Sequence, residues 1–294
     1  MPEGHMLHRL ANHFAEFYGG RRLRVSSPQG RFAEGAARID GRVMAEAEAY
    51  GKHLFLGFGH GEWLRIHLGL YGALTFGDAD GEYGLAMPRE AVPGASRTPA
   101  RDADGFFAAP PPVGAVRVRL VAADSWVDLR GPSACEVLDE AGKRAVQDRL
   151  GPDPLRADAD PERAWRTVGR SRSTIAALLM RQDVIAGVGN IYRAEALFRA
   201  GVEPHRAGRD LTRAEWDALW ADLTGLLEAG VECGRIVTTR PEDRGDPAAD
   251  PVPREESFYV CYRTGEPCRR CGAPIRSERL AARTLYWCPG CQAR

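Results

Sequence analysis

Four of the seven cysteines fall near the end of the 294-residue chain as two pairs, Cys268 with Cys271 and Cys288 with Cys291. Two residues separate the members of each pair and sixteen lie between the pairs. This is the spacing of four-thiolate zinc sites, in which each pair bends a turn that aims both sulfurs at one ion. With all four positions filled by protein, the expectation is one structural Zn2+ rather than a catalytic one. Residues 258–294 could hardly hold a core without that clamp. Cys135 and Cys233 read as plain buried small residues, and Cys261 as a decoy for the metal site.

The other end offers different chemistry. Met1 precedes Pro2, and an initiator methionine before a small residue is normally trimmed, which exposes a proline secondary amine beside the carboxylate of Glu3. An α-amine keeps a neutral fraction at cellular pH. Attack by this one on a sugar C1′ gives an iminium that cannot be discharged by losing a proton from nitrogen. The charge labilises the neighbouring C2′ proton, which is lyase chemistry by amine covalent catalysis.

Between the ends, several short segments carry two readings each. Lys52 sits in a Tyr-Gly-Lys-His turn, either as a proton donor or as an ordinary exposed lysine. Leu70-Tyr71 is either an apolar wedge or part of a β-domain core. Asn190 precedes a periodic helix and follows Gly187 and Gly189, either as a plain N-cap or as a phosphate contact. The exposed N–H groups at that helix start would make a natural phosphate seat. Arg276, Arg279 and Arg283 lie between the cysteine pairs, where an arginine fork suits phosphate and a solvated loop is the plain alternative.

The elements that must position these residues change texture along the chain. Residues 5–18 repeat apolar side chains at Leu7, Leu10, Phe14 and Phe17, with Gly19-Gly20 as a stop, which predicts an amphipathic helix. Strand-length segments follow around 22–26, 42–49, 53–58, 63–67 and 115–121, giving a β-rich first domain. Residues 77–114, rich in Gly, Pro, Asp and Ala, read as a long mobile insertion. After Leu129 the pattern turns helical, near 161–168, 173–181, 191–200 and 211–228, the last with a capping box, Thr212 and Glu215. Residues 240–256 carry four prolines without periodicity and read as a loop or disordered linker. The boundaries expected are 1–129, 130–240 and 258–294.

Composition excludes other classes. At 44% hydrophobic and 27% charged, the chain is not disordered as a whole. No apolar run has membrane-span length and the start lacks a secretory pattern, so a cytoplasmic, DNA-associated protein without membrane contact is expected. Forty basic and forty acidic side chains cancel, so any polyanion site must be local. All but two of the basic residues, Lys52 and Lys143, are arginine. The tail from Arg254 onward is the positive part of a neutral chain.

Taken together, Met1-Pro2-Glu3-Gly4, Gly51-Lys52, the run Ala186-Gly187-Val188-Gly189-Asn190-Ile191-Tyr192 and the ending Tyr286-Trp287-Cys288-Pro289-Gly290-Cys291-Gln292 resemble the formamidopyrimidine-DNA glycosylase and endonuclease VIII family. The opening and His67-Leu68-Gly69-Leu70-Tyr71-Gly72 look more like the endonuclease VIII branch. The resemblance implies an α+β protein: an N-terminal β-sandwich with a leading helix, a helical helix-two-turns-helix domain and a C-terminal zinc-ribbon hairpin. It implies a bifunctional DNA glycosylase and abasic-site lyase of base excision repair, acting on damaged double-stranded DNA as a monomer without a nucleotide cofactor. In such proteins Pro2 would be the nucleophile that forms the Schiff base. Glu3 would be the proton donor and shuttle, Lys52 the donor for β-elimination and Arg283 an aid to δ-elimination. Leu70 and Tyr71 would fill the gap left by the extruded nucleotide, and Asn190 would hold phosphate.

The chain departs from this pattern at Met6, where many relatives carry a second glutamate, and at Gly69, where a glutamine often precedes the wedge. Three readings follow: a glycosylase and lyase acting mainly on oxidised pyrimidines; a catalytically weak protein that binds damaged DNA or abasic sites; and an 8-oxoguanine or formamidopyrimidine glycosylase.

Overall fold

The computed structural model describes residues 2–84 and 100–293. The chain divides into two compact units, Met1–Pro2 with Met6–Asp148, and Glu3–His5 with Arg149–Arg294.

In the first unit, α1 (Gly4–Tyr18) precedes β1 (Arg21–Arg22), β2 (Arg24–Ser26) and α2 (Ala33–Ile39). Strands β3 (Val43–Tyr50), β4 (His53–Phe58), β5 (Glu62–His67), β6 (Ala73–Asp78), β7 (Gly81–Tyr83), β8 (Val116–Val121), β9 (Ser125–Arg130) and β10 (Ala134–Asp139) follow, then α3 (Glu140–Gln147). They form two five-stranded sheets, in the orders β1-β3-β4-β5-β10 and β2-β8-β9-β6-β7. Leu54, Leu56, Leu64 and Ile66 of the first sheet share one core with Val118, Leu120, Val127 and Leu129 of the second, and α1 adds Leu7, Leu10 and Phe14. This is the sandwich expected, with alternate residues of each strand turned inward. On the outer face of β4, Phe55 packs with Trp63 and Val146 under α3, which is why β4 reads as an unbroken apolar run.

Several expectations change here. Phe17 is exposed and Tyr18 takes the core place at the end of α1, one residue further round the helix. The first unit continues past the boundary expected at 129, because β10 pairs with β5 from Ala134↔His67 to Asp139↔Glu62. The strand lacks a wholly buried residue, so its sequence carries no clean alternation. The mobile insertion expected at 77–114 is only partly so: residues 85–99 lie outside the described residues, while β7 pairs with β6, and Phe106 and Phe107 pack with Val121 and Trp126.

In the second unit lie α4 (Pro161–Val168), α5 (Ile175–Leu178), α6 (Asn190–Arg199) and α7 (Arg213–Cys233). The hairpin β11 (Arg276–Leu280) and β12 (Arg283–Trp287) follows. Asp160, Thr174 and Thr212 cap α4, α5 and α7, and Thr212 with Glu215 completes the capping box. The Arg206 guanidinium pulls the Glu215 carboxyl down to about 2. Nearly every residue of α6 is buried, including two charged ones, Arg193 and Glu195. The linker at 240–256 is a loop with two short 3-10 turns, tied down by the Thr239 hydroxyl donating to the Glu256 carbonyl at 2.7 Å.

Candidate active site and zinc centre

The Glu3 carboxylate sits on the N-terminus of α6. Its Oε2 accepts the Gly189 N–H at 2.8 Å and its Oε1 accepts the Ile191 N–H at 2.9 Å, with Tyr192 N–H at 3.4 Å. Glu3 is wholly buried, and these donors with the positive end of the helix supply the favourable contacts a buried negative charge requires. The phosphate seat expected from the free N–H groups of this helix start is therefore already filled, by a carboxylate of the same chain. Two glycines make the approach feasible: a Cβ on Gly4 would lie 2.8 Å from the Gly187 Cα, and one on Gly189 would lie 2.4 Å from the Glu3 Cδ. Gly4 N–H donates to the Gly187 carbonyl at 2.8 Å. The Gln182 amide closes the same loop, donating to the Val188 carbonyl and accepting the Gly187 N–H.

Asn190 is the first residue of α6 and not its N-cap, which is Gly189 without a side-chain cap bond. The Asn190 amide instead accepts from Arg193 and donates to the Thr284 carbonyl at 2.9 Å, linking α6 to β12. Burial brings the Arg193 guanidinium down to about 10. Glu195, on the same helix, accepts the backbone N–H groups of Tyr259, Val260 and Cys261, each at 2.8 Å. None of Gln182, Arg193 and Glu195 stood out in the sequence. Within α6 the signal was two charged residues, Arg193 and Glu195, set among Ile191, Tyr192, Leu197 and Phe198; Gln182 carried none.

Cys268, Cys271, Cys288 and Cys291 converge, with all four sulfurs within 4.8 Å of one another. Cys268 and Cys291 sulfurs are 3.8 Å apart and those of Cys271 and Cys288 are 3.4 Å apart. A tetrahedral zinc with bonds of about 2.3 Å needs sulfurs roughly 3.8 Å apart, so the donor set fits the ion. The Ala273 N–H, then the Cys288 thiol, bring Cys271 down to about 7, while burial and the neighbouring thiols push Cys288 and Cys291 up. Four thiolates can share this spacing only around a cation, since without one their mutual repulsion keeps some of them protonated. Cys261 is wholly buried and outside the cluster, Cys135 is half-buried, and Cys233 is exposed, contrary to the burial expected of it. Arg283 opens β12, directly after a two-residue turn, Ala281-Ala282, whose φ angles are 50° and 59°. The second unit thus brings Glu3, Asn190 and the hairpin of Arg283 onto α6.

In the first unit, Pro2 is half-buried and Lys52 is half-buried in the turn between β3 and β4. The pairing His53↔His67 places that turn at the same end of the sheet as the turn after β5, which carries Leu70 and Tyr71. Burial, then Arg65 and Lys52, lower the His67 imidazole. Leu70 is 45% and Tyr71 87% exposed, so this pair is not part of the β-domain core. Gly69 adopts φ +65°, and a Cβ there would lie 2.9 Å from the Ser133 side chain, so a glutamine in this backbone would be strained. Met6 packs against the sandwich core.

Three family models match the chain. They are the formamidopyrimidine-DNA glycosylase N-terminal domain over residues 1–119, the formamidopyrimidine-DNA glycosylase H2TH domain over 150–241, and the zinc finger found in FPG and IleRS over 265–294. The chain is 46% identical over 293 residues to Endonuclease 8 1 of Mycobacterium tuberculosis, covering 99% of this chain and 100% of that protein. It is 32% identical to the formamidopyrimidine-DNA glycosylase of Thermomicrobium roseum, over 87% of this chain and 84% of that one. A solved complex of the Lactococcus lactis Fpg with DNA containing an abasic site shares the fold, with a TM-score of 0.73, 18% identity and coverage of 99% and 100%. Among the described residues no helix is long and apolar enough to cross a membrane. The zinc-finger match and the four converging thiols give the chain one structural zinc site. By full-length similarity and by all three of its parts, the chain belongs to the formamidopyrimidine-DNA glycosylase and endonuclease 8 family of DNA glycosylases with abasic-site lyase activity.

Proposed function

We propose that this DNA glycosylase removes mainly oxidised pyrimidines from damaged double-stranded DNA, working as a monomer without a nucleotide cofactor, and cuts the strand by β,δ-elimination. The observation that carries the reading is the seat of Glu3: a buried carboxylate, held by helix N–H groups, one residue after the proline whose amine would attack. The target nucleotide rotates out of the duplex, since a stacked sugar hides its C1′. The Pro2 nitrogen bonds C1′ as the base leaves, and Glu3 delivers and retrieves protons around the opened sugar. The iminium acidifies C2′, the 3′ phosphate leaves in β-elimination with Lys52 as proton donor, and Arg283 aids loss of the second phosphate. Leu70 and Tyr71 fill the emptied stack, and Asn190 holds the backbone at the extruded site. Zinc, when bound, fixes the hairpin that carries Arg283. Functionally the chain then divides into the sandwich, the helical part and the zinc module.

Borohydride trapping tests the reading. Protein verified by mass spectrometry to start at Pro2 is expected to form a covalent adduct with an abasic-site duplex. A protein that binds this duplex yet yields no adduct would be a binding protein only. An incision panel with thymine glycol, dihydrouracil and 8-oxoguanine is expected to favour the two pyrimidines; preference for 8-oxoguanine would move the enzyme to the purine branch.

A further inference from the structure

Two glycines lie inside α7, Gly225 and Gly230, at positions where alanine would favour the helix more. Gly225 is exposed, and a Cβ there would meet nothing within 4 Å. Gly230 is buried, and a Cβ there would lie 2.3 Å from the Tyr192 hydroxyl oxygen and 3.0 Å from the His5 Cγ. Two side chains from elsewhere in the sequence therefore occupy the space that a side chain of α7 would take. The rings of His5 and Tyr192 meet edge to face, 5.4 Å apart with their planes at 76°, and both are buried. The Tyr192 hydroxyl has no hydrogen-bond partner among the described residues, so it is the fit of the ring against bare backbone that holds it.

The same two rings adjoin the seat of Glu3. His5 follows Glu3 by two residues, and the Tyr192 N–H is one of the donors that face the Glu3 carboxylate, at 3.4 Å. Residues Glu3–His5 group with the second unit, whereas Pro2 and Met6 group with the first. This short strap is held at each of its residues: Glu3 by the start of α6, Gly4 by the Gly187 carbonyl, and His5 by Tyr192 and the backbone of α7. Two attachments would leave the strap free to turn about the line that joins them. The His5 ring removes that freedom, and the residue carried at the end of the strap is Pro2.

We propose that His5 and Gly230 are positioning residues of the lyase reaction: the His5 ring, packed on Tyr192 and on the bare backbone of α7, sets the angle at which Glu3 and the adjoining Pro2 amine are presented to the sugar. Neither residue touches the substrate. The inference rests on the function proposed above and adds to it a support that reaches the nucleophile from α7. Because a reacting group misplaced by about 1 Å loses about a hundredfold in rate, even a partial turn of the strap is measurable.

The test uses full-length, zinc-loaded protein that starts at Pro2. It compares the single-turnover rate of borohydride-trapped adduct with an abasic duplex, the affinity for a duplex holding an unreactive tetrahydrofuran site, and the melting temperature. Gly230→Ala should form adduct about tenfold more slowly with unchanged affinity, while Gly225→Ala, the same change on the same helix, should leave the rate as it is. Adding Tyr192→Phe to Gly230→Ala removes the oxygen that the new methyl group meets and should restore most of the rate. His5→Ala should also lose about tenfold in rate, and His5→Phe, which keeps a ring, should recover most of it. An undiminished rate in Gly230→Ala, a loss matched in affinity, or no rescue by Tyr192→Phe would each overturn the proposal. Should Gly230→Ala not fold, the His5 pair decides, and equal rates for His5→Ala and His5→Phe would overturn it. An unaltered protein that forms no adduct would instead overturn the lyase reading, and the positioning role with it.

Discussion

The Glu3 carboxylate and the Gly189 backbone are in contact with no room to spare: the N–H donates at 2.8 Å, and a methyl group on that glycine would sit 2.4 Å from the carboxyl carbon. Gly189 has no left-handed backbone that demands glycine, so Gly189→Ala should fold while pushing the acid off its seat. Base excision should fall about a hundredfold, as misplacing a catalytic group by about 1 Å does. Single-turnover excision beside a thermal melt checks this; full activity in a folded Gly189→Ala protein would take Glu3 out of the reaction.

Glu3→Gln keeps the side chain's size but removes the charge that faces the start of α6. Base removal should be lost more completely than cleavage of a preformed abasic site, because only the first needs a proton delivered to open the sugar. The same variant should lose about 1 kcal/mol of stability from the helix terminus. Equal loss of both reactions would contradict the division of labour assigned to Glu3.

Chelation should abolish DNA binding, because the four thiolates hold the two turns that carry them, whereas Ile275 and Leu285 tie only part of the hairpin to α6. Arg283→Ala should leave the fold intact and weaken binding about tenfold, the scale of a charge-assisted hydrogen bond. Titrations across salt concentrations report both, with affinity falling as salt rises and less steeply for the variant. Unaltered affinity of Arg283→Ala would remove that arginine from the interface.

His13 gives a pH dependence to the sandwich. Half-buried beside the rings of Phe17, Phe76 and Tyr83, its imidazole is brought down to about 4, first by burial and then by Arg9. Because the folded state binds this proton less readily than the unfolded chain, His13 contributes stability that is present above the unfolded value near 6.5 and is lost as pH falls toward 4. Urea melts of the protein and of His13→Phe over that window should show a shallower acid slope for the variant. Parallel slopes would exclude His13 as the cause.

The metal site and the helix caps were legible because they reside in residue types and short spacings: the paired cysteines and the capping box of α7. What was not legible depends on distance along the chain. Glu3 and Gly189 are 186 residues apart, so the filling of the helix terminus by a carboxylate had no local signal, and free N–H groups were expected to await a phosphate. The strand β10 was missed because its side chains are half-buried on both faces, which erases the alternation that marked β5. Phe17 and Tyr18 show the finer limit: adjacent aromatics on one helix cannot both face the core, and the pattern alone favoured the wrong one. Leu70 and Tyr71 gave the reverse case, an apolar pair whose exposure only the turn geometry reveals.

A single ten-residue helix, α6, binds the Glu3 carboxylate through its first turn, the hairpin through Asn190 and the segment leading into the zinc module through Glu195. Metal starvation would therefore do more than loosen the protein's hold on DNA. Because Asn190 and Ile191 are neighbours in the first turn of α6, release of the hairpin should also shift the seat of Glu3, so that under the proposed mechanism a zinc-poor cell loses lesion recognition and bond cleavage together.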